Sequence, residues 1–152
     1  MEFMPIFKKN RAYIEHIIGS VSDEQMLTMP DGFDNNIAWN LGHLIVAQQS
    51  LIYRQSSLET LTNRAHVAQF APGTSPADWT TTPDLAALRA LLTKSTEQMV
   101  ADADAGLFQS YTPYTTTTGF HLATSDDAMT FNLYHDGLHF GAIMALRNLV
   151  RR

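Results

Sequence analysis

The stretch from Thr124 to Arg152, TSDDAMTFNLYHDGLHFGAIMALRNLVRR, restricts the fold more than any other part of the chain. Phe131, Tyr134, Leu138, Phe140, Ile143, Leu146 and Val150 recur mostly three or four residues apart, the period of an amphipathic helix. Thr124 with Asp127 three residues on is an acidic variant of the capping box, and Asp126 and Asp127 put negative charge at the helix N-terminus. Arg147, Arg151 and Arg152 place positive charge at the other end, where the helix dipole favours it. In the middle sit His135 and His139, four residues apart. Helical geometry puts them on one face with Cβ atoms about 5–6 Å apart, close enough for two imidazoles to converge on one ion. A third ligand must come from elsewhere, and His43 is the candidate.

The rest of the chain supplies helices to pack against this one. From about Met4 to Val21, Ile6, Phe7, Ile14, Ile17, Ile18 and Val21 follow helical spacing, with Lys8, Lys9, Arg11 and Glu15 expected to face outward. Ser22 and Gln25 match a capping box for a single turn, which Met29-Pro30-Asp31-Gly32 then ends. Asn35 or Asn36 can cap a second long helix, Ile37 to about Ser56, with His43 inside it. Around His43 lie Trp39, Asn40, Val46, Ala47 and Ser50, a mixed stripe and not a plain core stripe. Residues 57–81 lack sustained periodicity and read as a crossover or lid. Thr82 as N-cap followed by Pro83 opens a third helix to about Asp104, which Gly106 stops. Thr115 to Thr118 favour extended backbone, and a small hairpin fits there. Four amphipathic helices with one long connection between the second and third describe an all-α, four-helix bundle. In such bundles, ligand and metal sites are built from side chains on facing helices.

Composition narrows the function. A chain of 152 residues suits one domain spanning residues 1–152. The net charge of -5, without a basic stripe, argues against nucleic acid and anionic membranes as partners. No apolar run approaches a membrane span, and MEFMPIFKKN reverses the order of a secretory signal, so the cytoplasm is the expected compartment. There is no cysteine, so thiolate ligands and a cysteine nucleophile are excluded. Sulfur chemistry would have to arrive with a cosubstrate.

Three histidines from two helices would give a three-nitrogen site with an open fourth position, as in catalytic zinc centres. Imidazole also suits nickel, iron and copper. The helical motif is H-D-G-L-H and not the H-E-x-x-H of zinc proteases: Asp136 stands where a glutamate base would act, and it is shorter. Asn40, Asn132, Tyr134 and Asp136 are candidates to orient the imidazoles or to touch a substrate. Gly137 and Gly141 suggest close approach of a backbone or ligand, or helix–helix packing. His16, His66 and His121 belong to no such constellation and are expected on the surface or in loops.

WNLGHL at Trp39 to Leu44, followed by YHDGLHFGAIMALR at Tyr134 to Arg147, resembles the DinB-like (YfiT-like) superfamily over essentially the whole chain. That resemblance implies a metal-binding four-helix bundle whose three histidines correspond to His43, His135 and His139. It implies a divalent transition metal, zinc or nickel first and iron or manganese after them. It also implies transfer of a low-molecular-weight thiol of the bacillithiol, mycothiol or glutathione type onto an electrophilic small molecule, and a homodimer. The competing expectation is a stress-response module that holds a metal or small ligand without turnover.

Overall fold

The computed structural model describes residues 3–151; Met1, Glu2 and the expected helix-end Arg152 lie outside them. Helix α1 spans Met4–Gly19 with Pro5 in its first turn, where a missing N–H costs nothing. The short α2, Asp23–Leu27, begins at the expected Ser22/Gln25 capping box. Asn36 caps α3, Ile37–Gln48, by accepting from the Trp39 N–H at 2.8 Å. The helix then continues as a π-helical segment, Gln49–Arg54. All twelve residues of α3 are buried, as expected of a helix apolar on nearly every side.

The connection after it is not structureless. Asn63 and His66 form a capping box for α4, Arg64–Phe70, and a 3₁₀ turn, Pro76–Asp78, follows. This helix of seven residues is too short to leave a clear periodic signal. It packs against α3. Helix α5 spans Leu85–Asp104 with Asp84 as its N-cap, two residues later than the Thr82-Pro83 expectation, because the Asp84 carboxylate accepts from Ala87 N–H. Gly106 stops it at φ 68°, a left-handed conformation that glycine adopts without strain. The hairpin pairs β1, Tyr114–Thr115, with β2, His121–Leu122, antiparallel. Helix α6, Ser125–Val150, starts at the full Thr124/Asp127 capping box. The chain is mostly helical, and its four long helices touch in a ring: α1 against α5 and α6, α3 against α5 and α6. No helix among the described residues is long and apolar enough to cross a membrane.

Two expected faces are corrected. Arg11 is wholly buried, its Nε and Nη2 donating to both carboxylate oxygens of Asp136 at 2.6 and 2.9 Å. A local reading places arginine outside because its partner lies 125 residues away. On α6 the inward stripe runs through Ala128, Met129, Asn132, Asp136, Ile143 and Leu146, so polar groups occupy core positions. Tyr134 and Leu138, expected in the apolar stripe, are 50% and 54% exposed.

Candidate metal centre

Helices α3 and α6 make the most extensive contact between helices, and it brings His43, His135 and His139 together. Ring centroids lie 5.1 Å apart for His43–His135, 4.8 Å for His43–His139 and 4.5 Å for His135–His139. One ligand atom from each lies within 4.8 Å of the other two, so the group could bind a metal ion.

The surroundings of two rings fix which nitrogen is available. His43 Nδ1 is 2.7 Å from the Phe70 carbonyl, which can only accept, so Nδ1 carries the proton and Nε2 presents its lone pair. His139 Nδ1 lies 2.8 Å from Asn40 Oδ1. The Asn40 amide nitrogen donates to Asn35 Oδ1 and to the Asn36 carbonyl, each at 2.8 Å, which orients its oxygen toward His139. His139 therefore also offers Nε2. Histidine ligands ordinarily donate their remote N–H in this way, which fixes tautomer and ring direction. The Trp39 ring stacks on His43 at 4.7 Å and 10°, and its indole N–H donates to Thr74 Oγ1 at 2.9 Å. The W-x-x-x-H spacing is thus a stacked pair one helical turn apart.

All three imidazoles are held neutral. Burial lowers the pKa of His43, partly opposed by its bond to Phe70. Burial, then the neighbouring His43 and Arg11 charges, brings His135 down to about 4. Burial, then His135 and His43, brings His139 down to about 3. Neutral imidazole is the metal-binding form. The donor set fits an ion: three neutral imidazole nitrogens within 4.8 Å of one another are the donor type that zinc, nickel and copper take. His43, His135 and His139 are the residues that would hold it.

Beside the centre is a cavity of about 240 Å³. Val46, Ala47, Ser50 and Leu51 line it from α3 and the π segment, Val67 and Ala71 from α4 and its end, and Thr116, Thr117 and Thr118 from the hairpin turn. The buried His43 also lines it, with His135 and the Phe131 ring stacked on His135. The mixed stripe around His43 is now accounted for: Trp39 and Asn40 hold imidazoles, whereas Val46, Ala47 and Ser50 face the cavity.

Of the other candidates, only Asn40 reaches the histidines. Asp136 is turned away and held by Arg11; burial raises its pKa against the pull of that guanidinium. A two-pronged contact with a group that is always charged keeps the pair ionised near neutral pH. Asn132 is fully buried on the same inward stripe, and its side-chain amide has no partner among the described residues. Tyr134 packs against Phe120 and Phe131 at the surface. His16 and His121 are exposed, and His66 Nδ1 accepts from Asn63 N–H in the α4 capping box. Gly137 and Gly141 have nothing within 4 Å of an added Cβ, so neither serves a close approach. The close approach is at Gly42, where a Cβ would overlap the Phe70 ring. That packing sets Phe70 against α3 with its carbonyl on His43. The Phe70 carbonyl carries no signal in the sequence, since every residue has one.

An all-α chain with three neutral imidazoles converging beside a small cavity is, in class, a helical protein with a histidine group that could bind a metal ion. It belongs to the DinB superfamily, whose sequence model matches residues 6–143. That superfamily is metal-binding. No curated protein matches the chain significantly.

Proposed function

We propose that His43, His135 and His139 hold a divalent transition metal, zinc or nickel, and that the protein is a transferase acting on a low-molecular-weight thiol of the bacillithiol, mycothiol or glutathione type. The observation that carries the reading is the pairing of His43 Nδ1 with Phe70 and of His139 Nδ1 with Asn40, which leaves the Nε2 lone pairs of both rings free, within 4.8 Å of a His135 nitrogen and beside the cavity that His43 and His135 line. A bound divalent ion with an open position lowers the pKa of a thiol, so that a thiolate exists at neutral pH. The chain's own residues do the positioning. Phe70 and Asn40 hold the tautomers, Trp39 holds the His43 ring plane, and Val46, Ala47, Leu51 and Phe131 give the cavity apolar side chains. The reaction forms a sulfur–carbon bond as the bond from that carbon to its leaving group breaks, and the thiol proton departs to solvent. No oxidant is needed, and the absence of cysteine is met by the incoming thiol. A homodimer would cover large apolar side chains exposed on α1 and α6, Ile6, Tyr13, Tyr134 and Leu138 among them.

The second reading, a module that holds a metal or ligand without turnover, draws on one observation. Among the described residues no aspartate or glutamate lines the cavity, so none of them offers a carboxylate as a general base. The two part in a conjugation assay in which the zinc- or nickel-loaded protein is given each thiol and monobromobimane. Transferase activity requires adduct formation faster than with the His135→Ala protein. Equal rates for every thiol, with metal bound, would favour the module.

A further inference from the structure

The cavity beside the histidines has chemically different ends. The imidazoles of His43 and His135 close one, and apolar side chains, Val46, Leu51 and Phe131 among them, form the middle. Arg54, exposed where His43 is buried, lines it at the other. His43, Ala47, Ser50 and Arg54 succeed one another at spacings of three and four, so one helical face carries both ends. The π segment that brings Arg54 to this face terminates with it.

Arg54 is the sole arginine, lysine or carboxylate side chain among the described residues of the lining, in a chain with net charge -5. Both ion pairs found among the described residues, Arg11–Asp136 and Arg89–Asp23, leave it out. Arg64 lines the adjoining depression on the same side, adding a second positive charge there. Ser50 and the threonine run 116–118 put hydroxyl groups on the wall between. A guanidinium presents a planar fork of donors that matches a carboxylate, and Arg54, being exposed, would meet one at the rim of the cavity.

We infer that Arg54 is the anion-recognising end of this cavity, and that its ligand class is a short molecule with a mostly apolar body and a carboxylate remote from the group that meets the imidazoles. The imidazole end of this assignment rests on the proposed metal–thiol reading; the Arg54 end does not. The spacing also sets a length. Arg54 lies eleven positions beyond His43, the last six of them in the π segment, so the axial distance is less than the roughly 16 Å that an α-helix would give at about 1.5 Å per residue. Both side chains lean back toward the N-terminus, so only the greater length of Arg54 shortens the gap, and a chain of about six carbons is a probe of suitable order. The cavity volume of about 240 Å³ lies below the roughly 300–1,000 Å³ of pockets for drug-sized ligands, so the enclosed part of the ligand is small. A larger molecule would enter with its anionic end at the rim.

The test uses the full chain stripped of metal, so that a carboxylate has no ion to ligate, with hexanoate and 1-hexanol as probes in calorimetric titrations. Hexanoate should bind about tenfold tighter than hexanol. Arg54→Gln should abolish that advantage and leave hexanol unchanged, and Arg54→Lys should retain part of it. Equal affinity for the two probes, an advantage that survives Arg54→Gln, or no binding of either would overturn the inference. The same pair with a thiol at the far end, 6-mercaptohexanoate and 6-mercaptohexanol, is then added to cobalt-loaded protein and the sulfur-to-cobalt charge-transfer band is followed. No band, with hexanoate discrimination intact, would end the thiol reading and leave the Arg54 end standing. A band of equal affinity for both thiols would do the reverse.

Discussion

The buried pair between Arg11 and Asp136 carries a large energetic consequence. Both side chains are 0% exposed, and two bonds of 2.6 and 2.9 Å join them across α1 and α6. Removing either partner strands a charge in the interior, which costs about 3–5 kcal/mol. Against a total stability of about 5–15 kcal/mol, that is a fifth of it at least and much of it at worst. Removing both is another matter. The Arg11 Nη1 atom has no partner among the described residues, so the pair does not recover its full desolvation cost. Well-packed apolar replacements of similar volume are often neutral. Urea unfolding of the metal-free protein at pH 7.5 should therefore give losses of about 3 kcal/mol or more for Arg11→Met and for Asp136→Leu singly. The double variant should recover to within about 1–2 kcal/mol of the parent, a coupling well above the ~0.3–0.5 kcal/mol of independent sites. Single losses below about 1 kcal/mol, or a double variant as unstable as the sum, would refute a desolvated ion pair here.

Asn40→Leu removes the acceptor of His139 Nδ1 and should weaken metal binding about 10–100-fold in a competition titration; unchanged affinity would mean that Asn40 does not set the ring. The histidine pKa values give a pH dependence with a definite sign. Above pH 6.5 folded and unfolded forms are both neutral, but below it the unfolded chain takes up protons that His135, at about 4, and His139, at about 3, refuse. Stability of the metal-free protein should fall from pH 6.5 toward 4.5, by on the order of 2–3 kcal/mol from His135 alone; urea midpoints flat over that window would contradict this. The glycines should divide in thermal melts. Gly42→Ala forces a Cβ into the Phe70 ring and should destabilise by about 1–3 kcal/mol, while Gly137→Ala, open on its helix face, should stabilise by up to about 1 kcal/mol; the opposite order would overturn the packing described.

What was legible in the sequence was what local chemistry encodes. The Ser22/Gln25 and Thr124/Asp127 capping boxes, the Gly106 stop and the hairpin beside Thr115 all lie where short-range rules put them. The three histidines were legible as a set because i, i+4 spacing fixes two of them and the family pattern adds the third. Features that depend on distant partners were not. Arg11 reads as surface until Asp136 is placed against it, and Tyr134 reads as core until the polar stripe of α6 turns inward. Helix α4 is too short for its period to register, yet it supplies the Phe70 carbonyl that orients His43. Arg54 could have been found by extending the His43 face two turns beyond Ala47.

The central claim is that one ion is shared by three imidazoles from two helices, and metal titration of single variants tests it most directly. Untagged protein should take up about one equivalent of zinc or nickel. His43→Ala, His135→Ala and His139→Ala should each lose affinity to a similar extent, because two imidazoles remain in every case. His16→Ala, His66→Ala and His121→Ala should bind as the parent does. Full affinity in His43→Ala, with none in His135→Ala, would contradict a centre that spans α3 and α6.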